Sequence, residues 1–182
     1  MIIKFHKVNL KKKFPLQISR GIHSESQNVF IEIIEDGITA WGESAPGKTE
    51  GATSAIEVEE SLVNLIEAGI EGLSIHEVYE KGKELKTPPC ALAGLDIALW
   101  DLKAKKANLP LNDLLGIPIP STPTSITVGI NPPEIVKERV ELILNNPEIK
   151  ALKIKLGSPN GIEYDKEIYS QVFESTKSSN VA

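Results

Sequence analysis

Two lysines one residue apart, in the run Lys153-Ile154-Lys155-Leu156-Gly157, are the side chains in this sequence best suited by type and spacing to move a proton. On a β-strand, side chains alternate, so Leu152, Ile154 and Leu156 share one face while Lys153 and Lys155 share the other. A rise of ~3.3 Å per residue separates the two lysine Cα atoms by roughly 6.6 Å. Like charges that close oppose one another, which is the setting in which a lysine amine becomes a general base. A strand in a parallel β/α layer is covered on both faces and is normally apolar throughout. Two ammonium groups on its inner face are therefore costly unless a ligand needs them. A solvated strand is the plain alternative. The glycine and polar loop that directly follow Lys155 favour the first reading, since parallel barrels build their sites at the C-terminal ends of strands.

The elements that must position this pair are legible in outline. After the Pro-rich stretch Ile117 to Pro123 come a short strand at Ser125–Ile130, a helix opened by Pro132-Pro133 and running through Ile143, and the lysine strand. A second helix is marked by Tyr164, Ile168 and Val172, with Tyr169 and Phe173 beside them. Strand, helix, strand, helix at this spacing is the grammar of βαβ units and a parallel sheet. A complete (β/α)₈ barrel takes roughly 250 residues. Two such units are expected to be the start of one, with the chain stopping as a third strand begins.

Ahead of the Pro-rich stretch the pattern differs. Residues 2–10 read as a first strand, followed by a loop from Pro15 to Ser26. Two further apolar runs, Val29–Ile34 and Ile38–Trp41, flank Asp36-Gly37, a dipeptide suited to the positive φ angles of a two-residue hairpin. Three helices are expected: about Ala52 to Ala68, with Ile56, Leu62, Val63 and Ile66 on the buried face; Ser74 to Leu85, where Ser74 and Glu77 form a capping box; and Pro89 to Ala107, apolar at Ala91, Leu92, Leu95, Ala98, Leu99 and Leu102. Trp41 and Trp100 read as core. Asp96 and Asp101 read as structural carboxylates.

Composition limits the partners. Among 182 residues, 25 Asp and Glu outweigh 20 Lys and Arg for a net charge of −5, which argues against nucleic acid or an anionic membrane. The basic run Lys11-Lys12-Lys13 reads as a solvated strand end. One cysteine, Cys90, leaves no disulfide framework, and the start of the chain is not organised as a signal peptide. A cytoplasmic setting follows as the expectation. His6, His23 and His76 lie in separate elements without ligand spacing.

A competing pattern runs from Gly42 to Thr49, where Gly-x-x-x-x-Gly-Lys-Thr has the spelling of a phosphate-binding loop. Against it, the preceding strand is reached through a hairpin and is therefore antiparallel, and Glu43 would put a carboxylate among phosphates.

Taken in order, the antiparallel strands, Arg20-Gly21, Gly42-Glu43-Ser44-Ala45-Pro46, the helix Gly94-Leu95-Asp96-Ile97-Ala98-Leu99-Trp100-Asp101-Leu102-Lys103, Leu109-Pro110-Leu111, and Lys153-Ile154-Lys155-Leu156-Gly157 resemble the enolase superfamily. Within it the chain is most similar to the muconate-lactonizing subgroup and its dipeptide epimerases. The resemblance implies an α+β capping domain over 1–120, of antiparallel sheet plus helices. It further implies that 121–182 form the first βαβα of an incomplete barrel. It implies racemase- or epimerase-type proton transfer at the α-carbon of a carboxylate substrate, with cycloisomerase or o-succinylbenzoate synthase chemistry as the related alternative. By the same resemblance Lys155 is the acid/base group and Lys153 its carboxylate-holding neighbour. Thr127 and Arg20 lie near substrate, and Gly47, Lys48 and Thr49 belong to a second specificity loop. The family's Mg²⁺ is expected to take its ligands from later strands, downstream of Ala182, so the chain alone is expected to be inactive. The expected partners are a small carboxylate and either a second copy of the chain or a complementary C-terminal half. A non-catalytic cap-like interaction module is the reading from another class.

Overall fold

A computed structural model describes residues 1–19, 21–119 and 121–181. Its contacts divide the chain into two compact units, Met1–Leu10 with Ser26–Ile119, and Lys11–Glu25 with Pro120–Ala182. The first two strands thus contribute residues to both.

The first unit is built on a three-stranded sheet of order β1 (Ile2–Ile18), β2 (Gly21–Glu35) and β3 (Ile38–Ser44). Asp36 and Gly37 take φ of 52° and 77°, and Glu35 pairs with Ile38, as the hairpin signal requires. The antiparallel register sets Val29 opposite Ser44, Ile31 opposite Gly42 and Ile33 opposite Ala40, and all six are buried. The opposite face carries Glu32 beside Trp41, with His6 bonded to Glu32 at 2.9 Å. Trp41 is 42 % exposed there rather than in the core, because the register puts it with Glu32 on the face opposite the buried residues. The segment read as a loop from Pro15 to Ser26 is mostly strand.

Helices α1 (Ala55–Glu67), α2 (Ile75–Glu84), α3 (Pro89–Lys106) and α4 (Leu111–Leu114) complete this unit. Ser74 and Glu77 close the capping box on α2, a device worth about 1 kcal/mol. On α1 the buried stripe is Ala55, Val58, Leu62 and Leu65, whereas Ile56 and Val63 face outward. The helix starts three residues later than expected, capped by Ser54, and of the expected face Leu62 is buried and Ile66 partly buried against the core. Helix α3 lies directly on β3. A Cβ on Gly42 would meet the Gly94 carbonyl oxygen at 2.0 Å and the Ala98 nitrogen at 2.8 Å, and one on Gly94 would meet Ile31 Cδ1 at 2.6 Å. Two facing glycines let backbone approach backbone. Trp41 N–H donates to Asp101, which also pairs with Lys105, so Asp101 is the structural carboxylate expected.

The second unit holds a two-stranded parallel sheet, β4 (Ser125–Val128) and β5 (Ala151–Ile154), with α5 (Pro133–Leu144) and α6 (Ile162–Thr176). Val128, Ile130, Val136, Val140, Ile143, Ile168 and Val172 form its core, with Ile126, Leu152 and Ile154 packed against it. Tyr169 and Phe173 are about half exposed, beside the edge of β5 that has no neighbouring strand among the described residues. Here too the elements are the α-helices and parallel strands expected.

Two substitutions test this packing. Gly42→Ala should lower unfolding free energy by about 1–3 kcal/mol, since neither the Gly94 carbonyl nor the α3 backbone can retreat without moving the helix; an unchanged urea midpoint would refute the close approach. Asp96 sits among Ile75, Val78, Leu92 and Leu95, and burial pushes its carboxyl above the ordinary range. A raised carboxyl favours the folded state while protonated and loses that contribution as pH rises through its folded value. Asp96→Asn is therefore expected to be more stable than the wild type at pH 7, with the gain shrinking as pH falls through the raised folded value and gone below about 4; a gain that persists in acid would contradict the burial argument.

Candidate functional site

Helices α5 and α6 decide which face of the parallel pair is left for chemistry. Ile126, Val128, Leu152 and Ile154 all pack on the helix side. In parallel register Thr127 pairs with Lys153, and paired residues share a face. Thr127 and Lys153 therefore point away from the helices. Lys155 follows at the next position of the same parity. It lies one residue beyond β5, yet its N–H still bonds the Val128 carbonyl at 2.9 Å, which extends the ladder by one step. Lys153 is exposed and Lys155 half-buried. The structure thus brings Thr127, Lys153 and Lys155 together on one face, at the C-terminal end of a parallel sheet.

The exit of β1 crosses these strand ends. Ile130 N–H donates to the Gln17 carbonyl at 2.9 Å, and Asn131 Nδ2 donates to the Pro15 carbonyl at 3.3 Å. Gly129, just past β4, has Gln17 N and O within 3.2 Å of where a Cβ would stand, so a side chain there would crowd the crossing. Ser19 comes next, its Cβ 3.3 Å from the corresponding position at Gly157. The turn after β1 therefore reaches the loop that follows Lys155. Arg20, expected near substrate, lies outside the described residues.

Gly47, Lys48 and Thr49 belong to the first unit. Gly47 N–H is bound to the Ala52 carbonyl at 2.8 Å and Thr49 Oγ1 donates to Glu50 at 2.8 Å, around a short 3-10 turn at Lys48–Glu50. Two of the donors a phosphate would use, the Gly47 N–H and the Thr49 hydroxyl, are thus taken. Gly42 and Ser44 lie in an antiparallel strand, buried, and α1 does not begin until Ala55. The geometry is not that of a phosphate cradle.

Sequence reasoning missed two features of the strand ends. One is the contact of Gly129 with Gln17. The other is Asp165, whose carboxylate accepts Gly157 N–H at 2.8 Å and Ser158 N–H at 3.0 Å. The signal was present as Gly157 and Gly161 bracketing a five-residue loop, with an acid in the first turn of the helix after it. Among the described residues no group of three or more His, Cys, Asp or Glu comes together in a way that could hold a metal ion. The residues present do not fit the magnesium that the resemblance implies, and no chemical step here passes through one. No helix among the described residues is long and apolar enough to cross a membrane.

Comparison with known proteins agrees with this architecture. The domain family described as mandelate racemase/muconate lactonizing enzyme, N-terminal domain, matches residues 2–116. A hydrophobic dipeptide epimerase from Flavobacteria bacterium (strain MS024-2A) is 56 % identical over 97 % of this chain and 51 % of the relative. One from Roseobacter litoralis is 48 % identical over 98 % of the chain and 52 % of the relative. The crystal structure of a dipeptide epimerase from Enterococcus faecalis V583, complexed with Mg and L-Leu-L-Tyr, superposes with a TM-score of 0.80 at 29 % identity. That match covers 96 % of this chain and 49 % of the other. The chain spans about half the length of the curated relatives it matches.

Proposed function

Because this chain belongs to the mandelate racemase/muconate lactonizing enzyme family, we propose that the protein carrying it inverts the α-carbon of a dipeptide by 1,1-proton transfer. Lys155 is the acid/base group on one face of that carbon. The observation that carries this reading is the shared face of Thr127, Lys153 and Lys155, opposite the helices and at the strand ends.

The chemistry follows from the placement. An amine on one face takes the α-proton of one epimer as a general base and, as the ammonium, delivers a proton when the other epimer reacts. Inversion also needs a second acid/base group on the opposite face, outside the residues described here. Removal of the α-proton builds charge on the neighbouring carbonyl or carboxylate oxygens. The exposed Lys153 ammonium is a fixed positive group for holding them, and Thr127, opposite it in register, adds a hydroxyl. Ser19 lies against Gly157, beside the strand end that carries Lys155. Gly47, Lys48 and Thr49 keep a substrate-binding role in this reading, on the first unit. Apolar dipeptides are the substrate class, a choice supported by the two relatives of 56 % and 48 % identity, both named hydrophobic dipeptide epimerases. Magnesium accompanies the dipeptide in the Enterococcus faecalis relative; in the whole protein its ligands would lie outside the residues described here.

The test is α-proton exchange in D₂O, followed by ¹H NMR, on the protein at its full length with apolar, acidic and basic dipeptides. Apolar dipeptides should exchange and epimerise fastest. Lys155→Ala should lower turnover by about 10²–10⁴-fold while calorimetry still detects substrate binding. Near-normal turnover in that variant would sink the assignment.

A further inference from the structure

We infer that Asp165 is the positioning residue for Lys155, holding the strand exit in place by binding the two consecutive backbone N–H groups of Gly157 and Ser158; the inference rests on the reading of Lys155 as the acid/base group. The need for such a clamp comes from where the lysine stands. Strand β5 ends at Ile154, so Lys155 lies outside it and is tied to the sheet by one backbone bond, to the Val128 carbonyl. The next residue gives little anchorage, since Leu156 is 49 % exposed. Without a second fixed point, the chain would fray back from the loop to the lysine.

Asp165 supplies that point. It stands in the first turn of α6, where the helix dipole favours a negative charge. Its two oxygens take one amide each, Oδ2 from Gly157 at 2.8 Å and Oδ1 from Ser158 at 3.0 Å. Bonds from N–H to an ionised carboxylate are roughly twice as strong as neutral ones. Its neighbour Glu163 is engaged instead with Lys166.

The rest of the loop is satisfied around this clamp. Asn160 N–H donates to Ser158 Oγ at 3.1 Å and Gly161 N–H to the Ser158 carbonyl at 3.1 Å, while Pro159 has no N–H. Every backbone donor from Gly157 to Gly161 is therefore assigned, two of them to Asp165. Gly157 and Gly161 both take φ of 92°, which lets the chain turn sharply enough for the helix to reach back. Ser158 is buried beneath the loop. The Ser19 turn rests against Gly157, so the same carboxylate also fixes the seat of that turn.

A positioning role differs from a general structural one in its asymmetry. Lys155 serves one face of the α-carbon, so misplacing it should slow exchange from one epimer more than from the other. The experiment measures α-proton exchange from each epimer in D₂O, on the full-length protein, for the wild type and for Asp165→Ala, Asp165→Asn and Lys155→Ala. Amide hydrogen exchange at Gly157 and Ser158 is followed in parallel by NMR. Expected for Asp165→Ala are about 10–100-fold faster exchange of those two amides, kcat lowered about tenfold more for one epimer than for the other, and KM changed much less. Asp165→Asn, which keeps one acceptor oxygen, should fall between and remains informative should the alanine variant fail to fold. An unchanged ratio of the two epimers' rates in both Asp165 variants, with exchange still dependent on Lys155, overturns the inference alone. Exchange that survives from both epimers in Lys155→Ala overturns the underlying reading and this inference with it.

Discussion

The parallel pairing of β4 with β5 is the constraint on which the functional half of this chain depends. Its register is fixed by oily side chains: Ile126, Val128, Leu152 and Ile154 must all reach the helices together, and a slip of one strand by one residue would turn its own pair outward. Once that face is committed, Thr127 and Lys153 have no choice of direction, and Lys155 follows them. The lysines are thus aimed by residues that do no chemistry. Burying a single Ile or Val side chain is worth ~1.5–3 kcal/mol, so several acting together outweigh any preference of the lysines for water.

The first unit solves a different problem. Helix α3 is apolar on most of its surface and packs on a sheet that is only half buried. The solution is steric rather than electrostatic, with Gly42 and Gly94 opposed so that helix and strand meet at backbone distance. Polar groups then finish the edges, as where Asp101 takes both the Trp41 amide and the Lys105 ammonium. The glycine at position 42 therefore has a packing role, which is why a phosphate-loop spelling beginning there misleads.

Features set by neighbouring residues were the legible ones. Asp36-Gly37 makes its turn through its own φ preferences, Ser74 and Glu77 meet within one helical turn, and α3 shows its period over eighteen residues. The lysine face was readable for the same reason, because alternation is local. What escaped depends on distant partners. The stripe of α1 was only half read because apolar residues lie on more than one of its faces, and which of them is buried, Val58 and Leu65 rather than Ile56 and Val63, is decided by what packs against the helix. The length of β1 and β2 was hidden because residues 11–25 are mostly exposed, and so lack the apolar alternation that marks a half-buried strand. Trp41 is large and apolar but stands opposite a glutamate, which only the register reveals. The clamp by Asp165 is an acid folding back on a loop, invisible to any count of apolar positions.

The bond from Ile130 to Gln17 has a consequence for how the chain is assembled. During synthesis, the ribosome releases residue 17 more than a hundred residues before its partner exists. The Gln17 carbonyl must wait for Ile130 while the helices between are made. Closing so long a loop is slow compared with forming a helix or hairpin, so the crossing over the lysines should be among the last parts of this chain to take shape.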